Sequence, residues 1–273
     1  MDLKLGKFID EGAFGEVYET EYQGEPCAVK VLTSFYSDGV GMVDLNFVNT
    51  FSHPNLVKTY DFFFSEEGLN LVMERVTTSL DSALEDPKFE FPFDFKTSVK
   101  LIFQLACVLK RIHDAGYVHG DVHSGQVGLL LSPEGVDVKL LDFSFSRYVG
   151  FGPSIERETE IRNLITLSMK ILIADPLPHT KSIFKKRYLD QDRHRPKDAP
   201  QEDWNSLIEG LYQLFSHCDL GSLMSCDVFS RHGMKCPPKV ISPFHNQLLS
   251  RVVICPDEVF RGQVLPEMNK LPV

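Results

Sequence analysis

Polar and apolar positions follow a strand-like pattern through the first 76 residues and then change to helical spacing. Residues 9–18 and 27–32 are β-branched or aromatic runs punctuated by Gly12, Gly15 and Gly24, which predicts strands turning at the glycines. The turn between two of them is Tyr22-Gln23-Gly24-Glu25-Pro26. Leu45, Phe47, Val48 and Phe51 predict a helix over 44–51, stopped by Ser52-His53-Pro54-Asn55. Residues 56–64 and 69–73 read as a hairpin around 65–68. Beyond Val76, Leu101, Leu105, Ala106, Leu109 and Ile112 mark one face of a helix over 95–114, ended by Ala115-Gly116. Two short strands at 128–131 and 138–141 turn at 132–135. Ile161, Leu164, Ile165, Ser168, Ile171 and Leu172 mark a second buried helix, closed by Asp175-Pro176. A third is expected over 204–215, and prolines 237, 238, 243, 256 and 266 break the last part of the chain. Strands first and helices after make an α+β chain.

Composition narrows the setting. At 43% hydrophobic and 24% charged residues, wholesale disorder is excluded. Lys+Arg 28 against Asp+Glu 38 leaves a net charge of −10, which argues against general nucleic-acid binding, since that needs surplus positive charge. The best apolar stretches, 99–109 and 164–174, carry Lys100 and Lys170 and fall short of the ~18 residues that span a bilayer. Met1-Asp2-Leu3-Lys4 has no charged-then-apolar signal pattern. Six cysteines without such a signal read as reduced thiols. The expectation is a soluble intracellular protein, cytoplasmic or nuclear, with no membrane contact.

Four segments carry the candidate chemistry. Asp10-Glu11-Gly12-Ala13-Phe14-Gly15-Glu16-Val17 joins two strands through two glycines, so backbone N–H groups can approach a phosphate without Cβ obstruction. Ala28-Val29-Lys30 places a cation on the next strand. His119-Gly120-Asp121-Val122-His123-Ser124-Gly125-Gln126 comes after the long helix, and Leu140-Leu141-Asp142-Phe143-Ser144 after the next hairpin. Asp121 is suited to accept a hydroxyl proton, while Gln126 and Asp142 offer oxygen ligands to Mg²⁺. Each alone has a bland reading as a turn or a solvated charge; four in this order do not.

With His53-Pro54-Asn55 and a hinge at Val72-Met73-Glu74, these motifs resemble the protein kinase superfamily in family order over about residues 3–175. The resemblance implies a bilobal fold, with a β-rich lobe at 1–76 and a mostly helical lobe at 77–273, and ATP and Mg as cofactors. It implies that Gly12 and Gly15 approach the phosphates and that Lys30 holds them, paired with Asp44. Val17 and Ala28 would cover the adenine, with Met73, Glu74 and Val76 along the hinge. Asp121 would be the catalytic base, and Asp142 and Gln126 the metal ligands. The implied activity is ATP- and Mg-dependent phosphotransfer. The default acceptor is protein Ser/Thr, with a small molecule as the other candidate.

Departures from the family pattern keep a second function in play. Asp10 replaces the first loop glycine, Asp44 a glutamate, Gly120 an arginine, His123 a lysine, Gln126 an asparagine and Gly128 a leucine beneath the adenine. Asp142 and Glu160 are 18 residues apart, with no Ala-Pro-Glu between them. The alternative is therefore a weak or inactive pseudokinase serving as a nucleotide- or protein-binding module. The short segment predicts an acceptor side left open, unless basic residues 181–197 fold back over Asp121. That basic stretch otherwise reads as a solvated loop, a docking surface for an acidic partner or a nuclear-import signal. Cys218, Cys226, His232 and Cys236 lack a Cys-x-x-Cys knuckle and read as buried thiols more readily than as a zinc site.

Overall fold

The computed structural model describes residues 3–12, 14–32, 40–65, 68–86, 93–175, 180–190 and 194–238. Ala13, the turn residues Glu66 and Glu67, Pro176, Arg193 and prolines 243, 256 and 266 lie outside them.

The first lobe is one antiparallel sheet built from β1 (Phe8–Gly12), β2 (Gly15–Tyr22), β3 (Glu25–Leu32), β4 (Thr59–Ser65) and β5 (Gly68–Glu74), in the order β1-β2-β3-β5-β4. Gln23 and Gly24 both take positive φ, 55° and 86°, the conformation a two-residue hairpin needs to match strand twist. Strand β3 is central, and residues 27–32 are all buried, so its apolar run is continuous rather than alternating. Lys30 is the exception within that run, which obliges it to find partners. Gly15 faces Leu32 across the β2–β3 ladder, and a Cβ there would lie 2.0 Å from the Val31 carbonyl oxygen. Its glycine is demanded by the sheet itself. Helix α1 (Val40–Thr50) bridges β3 and β4 and buries Asp44, Leu45, Phe47 and Val48.

In the helical lobe, β6 (Thr78–Ser79) leads into α2 (Leu80–Glu85), capped by the Ser79 side chain. Helix α3 (Phe95–Asp114) starts where Asp94 accepts a hydrogen bond from Thr97 N–H, and it buries twelve residues. Strand β7 (Tyr117–Val118) comes next, then β8 (Val127–Ser132) and β9 (Gly135–Leu140), which form a three-stranded sheet with β6. Strand β10 (Arg147–Tyr148) pairs with β7. Only a few residues later Ser154 caps α4 (Ile155–Ile173), which packs against α3. The remaining elements are α5 (Lys181–Phe184) running into a π turn (Lys185–Leu189), then α6 (Gln201–His217), α7 (Leu220–Met224) and α8 (Asp227–Arg231). Among the described residues no helix is long and apolar enough to cross a membrane.

The predicted 95–114 helix is found with those limits, whereas those expected at 44–51 and 204–215 are longer, and the second buried helix begins at Ile155. The two-residue strands β6, β7 and β10 were not predicted, because two residues carry no periodicity. Among its described residues the basic segment packs on the helical lobe rather than over Asp121. Phe184 packs on Tyr188 and Phe215, Arg187 pairs with Asp175 at 3.1 Å, and Lys185 and Lys186 are exposed. The four residues weighed for zinc are dispersed: Cys218 caps α6, Cys226 donates to the Ser222 carbonyl, His232 bonds Asp203 and Cys236 meets Cys107. Among the described residues no three His, Cys, Asp or Glu converge as metal ligands. The buried-thiol reading also needs correcting, since Cys218 and Cys236 are exposed.

Candidate active site

Four side chains from three distant segments close one polar network between the lobes. Lys30 Nζ lies 3.0 Å from Asp44 Oδ2, 2.6 Å from Asp142 Oδ1 and 3.0 Å from Ser144 Oγ. The Ser144 hydroxyl lies 2.8 Å from Asp44 Oδ2 and 2.6 Å from Asp142 Oδ1. Asp44 Oδ1 accepts the Phe143 N–H at 2.9 Å. Lys30 is 6% exposed and Asp44 2%, so charge pairing and hydrogen bonding must offset the desolvation of both. Burial favours the neutral Lys30 amine, but the Asp44 and Asp142 charges outweigh it and hold the ammonium above its ordinary range. Burial, the largest influence on Asp44, pushes its carboxyl up despite Lys30. Burial acts the same way on Asp142, but there the Lys30 charge and the Lys30 and Ser144 hydrogen bonds win, and the carboxyl is held below its usual range.

The network leaves one oxygen open. Three of the four carboxylate oxygens accept hydrogen bonds, whereas Asp142 Oδ2 accepts none among the described residues and stands 4.0 Å from the place of a Cβ on Gly12. Asp142 adopts φ 53°, a conformation uncommon for a residue with a side chain. Gln126 sits on a 3-10 turn (Ser124–Gln126), and its backbone carbonyl oxygen accepts the Leu141 N–H at 2.9 Å, which ties it to the residue before Asp142. A carboxylate oxygen left free in this way is a donor that suits a hard divalent cation.

The same geometry orients Phe143. Its ring stacks on Phe47 of α1 at 4.4 Å and meets His119 edge-on at 5.5 Å. His119 is fully buried, and its Nδ1 accepts the Asp121 N–H at 3.3 Å. Its Nε2 therefore carries the proton and donates to the Leu141 carbonyl at 2.8 Å. Burial lowers its pKa, outweighing the nearby Glu160, Asp142 and Asp121. Asp121 itself is only part-buried, with His123 Nε2 3.4 Å from its Oδ2.

The loop over residues 119–126 is held from below by a residue whose partner the sequence did not reveal. Glu160, 3% exposed, accepts the Gly120 N–H at 2.6 Å with one oxygen and lies 2.7 Å from His113 Nε2 with the other. Gly120 has φ 91°, and a Cβ on it would stand 2.2 Å from the Phe145 carbonyl oxygen. The absent arginine thus has a steric reason, because no side chain fits where the segment after Asp142 crosses the loop.

In the first lobe, Ala28 is buried opposite Met73 in the ladder, and Val17 lies opposite Lys30. Glu74 Oε2 takes an ion pair from Lys139 at 2.8 Å. Val76 leans over Gly128, and a Cβ there would meet the Val76 side chain at 2.8 Å. At the glycine-rich turn, the Phe14 ring reaches Phe145 at 5.1 Å, joining the turn to the segment after Asp142.

A sequence profile described as protein tyrosine and serine/threonine kinase matches residues 3–164. The chain belongs to the protein kinase family. A probable serine/threonine-protein kinase of Encephalitozoon cuniculi is 32% identical over 148 residues, 54% of this chain and 27% of that protein. A serine/threonine-protein kinase of Saccharomyces cerevisiae is 28% identical over 156 residues, covering 55% and 49%. The Aurora kinase of the same yeast is 26% identical over 186 residues, covering 66% and 49%. The chain therefore spans about half or less of the length of these relatives.

This kinase chain brings Lys30, Asp44 and Asp142 together, and Asp121 is half-buried beside His123. Sequence reasoning missed Ser144 as the fourth member of the network. The signal was available, since a hydroxyl one residue past Phe143 sits close enough to bond the preceding carboxylate.

Proposed function

We propose that this chain is an ATP- and Mg-dependent phosphotransferase whose acceptor is a protein Ser/Thr hydroxyl, with a small-molecule hydroxyl as the competing acceptor. The observation that carries this reading is the assembled Lys30–Asp44–Asp142–Ser144 network with one carboxylate oxygen left open. Lys30 supplies a fixed positive charge for phosphate oxygens, Asp142 and Gln126 hold the metal, and Asp121 orients and accepts the proton of the acceptor hydroxyl. The cation, when bound, neutralises charge on the phosphates. Asp44 and Ser144 hold Lys30 and Asp142 in place. Between Asp142 and α4 only residues 143–154 intervene, and Gly120 leaves no arginine to clamp a phosphorylated loop. Activity therefore needs no prior phosphorylation, and phosphatase treatment leaves the rate unchanged. Residues 181–190, packed on α6, are free to meet an acidic partner, and an intracellular setting belongs to this reading.

A second reading, a pseudokinase that binds without transferring, is favoured by Val76 over Gly128 and by the Phe14–Phe145 contact. Both lie beside positions that the resemblance gives to the nucleotide. Thermal shift with ATP, with and without Mg²⁺, and then radiolabelled transfer on pure protein, separates the two. On the leading reading Asp142→Asn loses Mg²⁺-dependent stabilisation, and Asp121→Asn keeps it but loses transfer. Wild-type transfer by both variants would sink the assignment; ATP binding without transfer by the unmodified chain would establish the second reading.

A further inference from the structure

Cys107 and Cys236 are 129 residues apart in sequence, yet their sulfur atoms lie 3.0 Å apart. That is about 1 Å beyond the ~2.04 Å of a formed disulfide. Cys107 is on the buried side of α3, 4% exposed. Cys236 is exposed, on the extended segment after α8. That segment is docked rather than loose where it leaves the helix. Met234 N–H donates to the Phe229 carbonyl at 2.9 Å, Met234 packs against the core, and Phe229 meets Phe103 of α3 at 5.0 Å. Cys107 also lines a cleft of about 420 Å³ bounded by Lys100, Gln104, Asp137, Met234 and Lys235, and Cys236 is itself exposed, so a small oxidant reaches both sulfurs.

We infer that Cys107 and Cys236 form an oxidative modification site, a reversible disulfide made by peroxide that staples the segment after α8 to α3. The exposed Cys236 sulfur attacks one peroxide oxygen and the O–O bond breaks, giving a sulfenic acid and one water. The Cys107 sulfur then displaces hydroxide from that sulfenic acid. The S–S bond forms, the S–O bond breaks, and the hydroxide leaves as a second water with the Cys107 proton. Two thiols lose two electrons and one hydrogen peroxide is reduced to two waters. The order is set by exposure and by burial raising the Cys107 pKa, which makes it a poor first nucleophile. The other described cysteines are elsewhere: Cys27 is buried in β3, Cys226 faces Ser222 and Gly210, and Cys218 caps α6. The disulfide is independent of phosphotransfer.

The test treats the reduced full chain with stoichiometric hydrogen peroxide, then counts thiols and maps non-reduced peptides. Free thiols should fall from six to four, the mass should drop by about 2 Da with a Cys107–Cys236 peptide pair, and dithiothreitol should reverse both. Because the closed loop is long, the oxidised chain should melt roughly 10 °C higher. Cys236→Ser, at an exposed position, should abolish the mass loss and the melting shift while leaving the fold intact, and Cys107→Ala should abolish the peptide pair. Cys255→Ser should leave the pair in place. A Cys236 found only as sulfinic acid, about 32 Da heavier, or linked to a cysteine other than Cys107, would overturn the inference.

Discussion

The buried network around Lys30 and the short segment after Asp142 are built on opposite principles. Around Lys30, every charged group but one oxygen is matched, and the members come from β3, α1 and the segment after β9. By contrast, the stretch from Phe145 to Ile155 exposes large apolar groups, with Phe151 77% and Ile155 80% exposed and Tyr148 more than half. The matched side is costly to disturb, because buried charges left alone have no solvent to turn to. Phe151 and Ile155 in that segment lie mostly outside the packed core and are open to change. The chain thus keeps the Lys30 network inside the fold, while the short segment after Asp142 is left at the surface.

That contrast can be broken most sharply at Lys30. Lys30→Met leaves Asp44 and Asp142 without their cation, and the urea unfolding midpoint should report a loss of ~3–5 kcal/mol. An effect below ~1 kcal/mol would mean the network is not what joins the lobes. Next is Gly120, at the joint between the two sides. Gly120→Ala forces a side chain onto φ 91° and into the Phe145 carbonyl, and it should cost ~2–4 kcal/mol in the same measurement.

Acid sharpens the comparison further, because it titrates groups on the buried side. His119 and His53 are both held neutral by burial, His53 down to about 4 with Arg111 and Lys139 adding to the effect. Their folded pKa values lie below the unfolded ~6.5, so the stability they allow is present above pH ~6.5 and is lost as pH falls. Between pH ~6.5 and ~5 the unfolding free energy should drop by up to about 1.4 kcal/mol per unit for His119, and by less for the partly solvated His53. A flat profile over that window would contradict the buried neutral histidines. The smallest effect belongs to the open side. Phe151→Ser and Ile155→Ser should each change stability by no more than ~0.5 kcal/mol, and a larger loss would show those side chains are covered in solution.

The element order, the 95–114 helix and the placement of Lys30, Asp121 and Asp142 on the right elements were legible in the chain, because periodicity and turn residues act within a few positions of one another. Burial of a lysine in β3 was legible in part, since an apolar run around a single cation announces a partner. Which partners it takes was not. Ser144 joining Asp44 across 100 residues, Glu160 holding the Gly120 N–H across 40, Val76 lying over Gly128 and Cys236 reaching Cys107 are contacts between remote segments. They leave no local pattern, because each depends on how two independently formed elements pack. Gly120 shows the boundary between the two kinds of information. Its departure from the family pattern was visible in the sequence, but only the crossing of the Phe145 backbone above it decides that no side chain fits.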